Sequence, residues 1–220
     1  NATNARYLRL GFGNLPITVI GTDGGLLETP LPPVADILLA PAERLEILVR
    51  FDKPGDVRLQ TLEYDRGWMG PSRPDDAGMT LLTVTVAHHD TDQPPALPEK
   101  LRTIAPLGAP VVSRKVVFGE TMSMDTDGMS VDFTINGQKF DMQRVDFQSK
   151  AGDVELWQLD NPTDMDHPFH IHGTQFQLQD VTQGGTTRKA SYLAWKDTIN
   201  VPRGASVRIA LRQDLPGPRM

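Results

Sequence analysis

The sequence predicts an all-β protein of two similar β-sandwiches in tandem, and three observations carry that expectation. Short runs rich in Val, Ile, Leu and Thr are separated by turn clusters, among them Gly21-Thr22-Asp23-Gly24-Gly25, Asp52-Lys53-Pro54-Gly55 and Arg66-Gly67, while no long stretch keeps the helical period. At 220 residues the chain is long enough for two domains of about 100 residues, each able to bury a core. Its two strand-rich parts also share sequence, the mark of an internal repeat.

Composition narrows the class further. A hydrophobic content of 39%, with 18 Pro and 19 Gly, fits a turn-rich globular chain and argues against disorder. The net charge of −6 and pI near 5.3 leave no basic footprint, so nucleic acid is not an expected partner. No apolar run is long enough to span a bilayer, and the first residues do not form a signal peptide. With no cysteine there is no disulfide framework. The abrupt opening at Asn1 and close at Met220 read as those of part of a longer protein.

Taken in order, residues 1–88 form the first expected domain, entered through a strand at Arg6–Leu10. Leu45-Glu46-Ile47-Leu48-Val49-Arg50 alternates as a half-buried strand should. Pro71 to Gly78 is polar and Pro-rich and is expected to be a loop. Residues 89–110 have the composition of an extended linker, with His88 and His89 solvated at its start. The second domain is 111–220, strand-rich from Val111 to Arg212. Pro16–Thr22 aligns without gaps on Pro168–Thr174, and Asp36 precedes Pro41 by the interval that separates Asp197 from Pro202. On that alignment Leu15, Thr18 and Ile20 occupy the places of His167, His170 and His172, so the first domain is expected to bind no metal.

Three of the five histidines fall within His167-Pro168-Phe169-His170-Ile171-His172-Gly173. On an extended strand His170 and His172 share a face and can serve one metal cluster, whereas His167 faces the other way, about 10 Å from His170 at about 3.3 Å per residue. One segment would then serve two metal centres. Imidazole suits copper, zinc, iron and nickel, so spacing does not choose the metal.

The histidine segment, followed by Trp195-Lys196-Asp197-Thr198 and a Pro-Arg-Gly turn, resembles the last domain of the three-domain, laccase-like multicopper oxidases. The resemblance covers essentially the whole chain and implies two cupredoxin-like Greek-key sandwiches. It makes His167 a ligand of the type 1 copper, His170 of the type 2 copper and His172 of the type 3 pair. It implies an oxidase that takes single electrons from a small reducing substrate, a phenol or a metal ion, and reduces dioxygen to water. It also implies a periplasmic or secreted setting. The family completes its sites with a His-Cys-His segment and with an amino-terminal cupredoxin domain, and these 220 residues contain neither, so the chain alone is expected to be inactive. The alternatives are a cupredoxin-fold scaffold with vestigial histidines and a copper-sequestering protein.

Other residues have competing readings. Met122, Met124, Met129, Met142 and Met165 could offer thioethers to soft copper(I) or simply fill the core. Asp164 and Asp166 could accept a hydrogen bond from a ligand imidazole or form a polar turn. Asp197 has a counterpart in Asp36 of the metal-free copy, which favours a structural role.

Overall fold

Alternation along the strands and glycine-marked turns produce an all-β fold, with no helix among the described residues. A computed structural model describes residues 1–68, 78–87, 95–125 and 128–217. The expected loop at Pro71 to Gly78 lies almost wholly outside them, as do His88 and His89. The chain divides into two compact units, Asn1–Asp65 with Pro71–Ile104, and Arg66–Gly70 with Ala105–Met220.

The first unit holds β1 (Leu8–Gly11), β2 (Ile17–Thr22), β3 (Gly25–Leu26), β4 (Asp36–Leu39), β5 (Leu45–Val49), β6 (Gly55–Leu62) and β7 (Thr80–Val86). One sheet runs β4-β1-β6-β7 and the other β3-β2-β5. The half-buried strand expected at Leu45–Arg50 is β5, whose residues alternate between half-buried and exposed.

The second unit contains β8 (Val112–Asp125), β9 (Gly128–Ile135), β10 (Val154–Asn161), β11 (His167–His170), β12 (Phe176–Gln183), β13 (Thr186–Lys189), β14 (Thr198–Val201) and β15 (Ala205–Arg212). Six strands form a sheet in the order β13-β12-β15-β10-β8-β9, with β10 and β8 parallel, and β11 pairs with β14 apart from it. Val116, Phe118, Leu159, Phe169, Ile171, Phe176, Val201, Val207, Ile209 and Leu211 are among the side chains that fill the core. Burying each large apolar side chain contributes about 1.5–3 kcal/mol, and Phe169 and Ile171 are how the histidine segment is tied into that core.

The duplication is present, but not in the register read from the sequence. β11 pairs antiparallel with β14 as β1 pairs with β4, and each first strand runs into a left-handed glycine, Gly173 (φ 69°) and Gly13 (φ 63°). Downstream, Ile17 exchanges backbone hydrogen bonds with Val34 as Phe176 does with Lys196. Both β2, between Val19 and Gly21, and β12, between Leu178 and Asp180, carry a register shift. The true counterparts of His167, His170 and His172 are therefore Tyr7, Leu10 and Phe12, all buried side chains of the first unit. The alignment of Pro16–Thr22 on Pro168–Thr174 fails because its shared glycine does two different jobs. Gly173 supplies a left-handed turn, while Gly21 lies under the Glu46 side chain, whose carboxylate would have to move for a Cβ.

Candidate metal centre

The histidine segment is extended only as far as His170. Ile171 N–H still bonds to Asp197 O at 3.1 Å, and then the chain turns at His172 and Gly173. The expectation of one strand through His172 is corrected on this point. The turn nonetheless keeps the two side chains together: the His170 and His172 rings lie 4.7 Å apart between centroids, nearly perpendicular.

His170 is fixed by its neighbours on β14. Its Nδ1 lies 2.9 Å from Asp197 O and 2.9 Å from Thr198 Oγ1, whose own hydroxyl donates to Asp197 Oδ1 at 2.8 Å. A carbonyl oxygen can only accept, so Nδ1 carries the ring proton and Nε2 presents the lone pair. Asp197 thus meets the histidine through its backbone carbonyl, while its carboxylate holds Thr198 and stands 3.5 Å from the same Nδ1.

His167 lies in a different environment, between the rings of Phe118 (5.8 Å, 81°) and Phe133 (6.1 Å, 75°). Its Nε2 is 2.7 Å from Glu120 Oε1 and 3.0 Å from Thr163 Oγ1. The three rings do not converge on one point: alternation along β11 separates His167 from His170, and the turn after it keeps His172 beside His170.

The turn ahead of His167 is held by Asn161, which is buried. Its Nδ2 donates to Met165 O at 2.8 Å and to Val201 O at 2.9 Å, and its Oδ1 accepts from Thr163 Oγ1 at 2.7 Å. Asp166 accepts from Arg203 N–H at 2.9 Å and Asn200 Nδ2 at 3.2 Å, which makes its carboxylate part of this turn. Sequence reasoning looked for the carboxylate partner of His167 at Asp164 and Asp166 and missed Glu120. The available signal was the alternation Val116, Phe118, Glu120 on β8, which puts an acid where the pattern calls for an apolar residue. Met165 is buried, while Met122, Met124, Met129 and Met142 are exposed on and after the β8–β9 hairpin.

Among the described residues no three His, Cys, Asp or Glu side chains are grouped to hold a metal ion. His170 and His172 fit as two members of a larger nitrogen donor set. His167 is a single donor, and a type 1 centre, His₂Cys with a weak axial ligand, cannot be completed without a thiolate.

The profile of the multicopper oxidase family matches residues 117–220, the part of the chain that carries all three histidines. Over these residues the chain is similar to a multicopper oxidase domain. A multicopper oxidase from Campylobacter jejuni, titled a metallo-oxidase, superposes with a TM-score of 0.87 at 33% identity, over 100% of this chain and 48% of that one. A multicopper oxidase of Staphylococcus haemolyticus is 29% identical over 95% of this chain and 40% of its own length. The cell division protein FtsP of Photorhabdus laumondii is 31% identical over 97% of this chain and 43% of its own. The chain therefore spans less than half of each of these relatives. The multicopper oxidase fold accounts for the cupredoxin-like sheets described above, and copper is the metal the family implies.

Proposed function

We propose that the chain is the part of a copper-dependent oxidase that contributes His167 to the type 1 copper, His170 to the type 2 copper and His172 to the type 3 pair. The observation that carries this reading is the His170–His172 pair. Asp197 O accepts a hydrogen bond from Nδ1–H of His170 and leaves Nε2 with the free lone pair, with the second imidazole 4.7 Å away. Copper, when bound, would supply one-electron redox chemistry, with electrons entering at the type 1 centre and dioxygen reduced to water at the trinuclear cluster. The residues of this chain hold rings and fix tautomers, with Phe118 and Phe133 edge-on to His167 and Phe118 stacked on Phe169. The electron donor is a small reducing molecule, a phenol or a metal ion. The remaining ligands come from a further cupredoxin domain and a His-Cys-His segment. A periplasmic or secreted setting goes with this reading. Among the described residues no helix is long and apolar enough to cross a membrane.

Copper(II) added to the purified chain should give an electron paramagnetic resonance signal of a type 2 kind, with coupling from imidazole nitrogen. His170→Ala and His172→Ala should each weaken binding about tenfold or more. Copper affinity indifferent to both substitutions would refute the assignment.

A second reading, a cupredoxin-fold binding or scaffold protein, is favoured by the relatives named cell division protein FtsP. Cysteine separates the two. The oxidase requires a thiolate at its type 1 centre, so a complete polypeptide lacking a His-Cys-His segment would decide for the scaffold.

A further inference from the structure

We propose that Glu120 is the positioning residue of His167, a buried carboxylate that takes up the ring's Nε2–H and so leaves Nδ1 as the donor atom toward a metal. The purpose of this device rests on the copper reading above; the device itself does not.

Strand alternation places Val116, Phe118 and Glu120 on one face of β8, and the first two are buried in the core. The Glu120 side chain is only 5% exposed, and its Oε1 is closed to solvent. A carboxylate there is unfavourable unless something compensates for lost hydration, and an apolar residue would serve packing better. Among the described residues no Lys or Arg pairs with it. Oε1 is a buried atom with no hydrogen bond satisfied in this geometry, and the imidazole Nε2, 2.7 Å away, is the neighbour able to supply one by a small turn of the ring or carboxylate.

The second contact fixes the proton. Thr163 Oγ1 lies 3.0 Å from the same nitrogen, and its hydroxyl already has two oxygen acceptors within reach, Asn161 Oδ1 at 2.7 Å and Met165 O at 3.2 Å, which leaves its lone pair for His167. Two acceptors converge on Nε2, which must therefore carry the proton of the neutral ring. Nδ1 makes no hydrogen bond among the described residues. Phe133, the cross-strand partner of Glu120, and Phe118 meet the ring edge-on and limit its rotation. An acceptor on the far nitrogen orients a ligand imidazole and raises its basicity. Asn161 and Thr163 belong to the turn that precedes the strand, whereas Glu120 reaches the ring from β8.

The test uses the 220-residue chain with nitrogen-15 in its histidines and two-bond proton–nitrogen spectra recorded above the ring titration, His167 being assigned by its loss in His167→Gln. The expected result is a single tautomer with the proton on Nε2 and a slowly exchanging, downfield Nε2–H signal. Glu120→Leu should abolish that signal while keeping a thermal midpoint at least as high as the parent's. Glu120→Gln should keep the tautomer through its amide oxygen and move the signal upfield. An Nδ1–H tautomer in the parent chain would overturn the proposal, as would an Nε2–H signal unchanged in the Leu variant. If the Leu variant does not fold, the Gln variant decides, an upfield shift supporting the role and an unchanged signal refuting it. Copper bound at His170 and His172 should be indifferent to Glu120, so failure of the copper reading and failure of this one are seen separately.

Discussion

Glu155, on β10, lies with its carboxylate against the Arg114 guanidinium at 2.5 and 2.8 Å and accepts the Trp157 indole N–H at 2.8 Å. The Arg114 hydrogen bond holds its pKa below the ordinary carboxylate value, against a burial that works to raise it. At Asp160 burial is the largest single influence and raises the pKa, yet hydrogen bonds from Ser206, Gln158 and Lys115 together outweigh it. A carboxyl whose pKa is depressed on folding contributes stability above its unfolded pKa of about 4.3 and loses it as pH falls through the folded value. The second unit should therefore lose stability progressively below about pH 4. Arg114→Met should cost about 3 kcal/mol near neutral pH, because it leaves Glu155 buried without its cation, and the deficit should shrink in acid. Urea unfolding of both chains at pH 7 and pH 3 checks the sign and the size. Glu120 is the contrasting acid: its compensating partner is an imidazole, which is why it can set a ring's orientation as well as sit in a core.

At the scale of elements, the turn before β11 decides where the histidines go. Arg66 O accepts the Asp166 N–H at 2.6 Å, and Gly67, at φ 84°, passes so close that a Cβ there would come within 1.9 Å of Asp164 O. Gly67→Ala combines that collision with a strained backbone and should destabilise the second unit by more than about 2 kcal/mol. The loss should fall on this turn first, seen as faster amide exchange at Asp166 and His167 than elsewhere in the core. The histidine strand itself was legible in the sequence, since apolar Phe169 and Ile171 between polar neighbours specify which side meets the core. Its end was not. Gly173 looks the same in sequence whether it terminates a strand or continues one, and only the β14 pairing and its positive φ show the chain turning at His172. The register of the repeat was misread for the same reason, because glycine and proline spacing matched while strand partners did not.

At the scale of the molecule, the chain covers 40–48% of the relatives compared, and several apolar side chains stand exposed, among them Leu81 and Leu82 on β7 and Phe140 and Val145 after β9. Apolar surface of this kind favours association with further protein. Loaded with copper by itself, the chain should show no intense blue band and no sustained four-electron consumption of dioxygen with a phenolic donor. The thiolate that gives a type 1 centre its colour and tuning is not among its residues, and two imidazoles are a weak hold on copper. Visible spectra and an oxygen electrode measure both, and a strong blue band would overturn the expectation.

What the sequence by itself determined was the all-β class, the core face of the main strands, the family and the two-sided presentation of His167 against His170 and His172. These follow from local period, turn residues and a dense motif, all of which act over a few neighbouring residues. Tertiary structure alone decided the register of the duplication, the partner of His167 and the proton position on His170. Glu120 lies 47 positions from His167, and Asp197 lies 27 from His170. No local pattern specifies contacts across such separations; the packing of β8 side chains against β11 and the pairing of β11 with β14 do, because a strand's neighbours are chosen by the whole sheet and the core it covers.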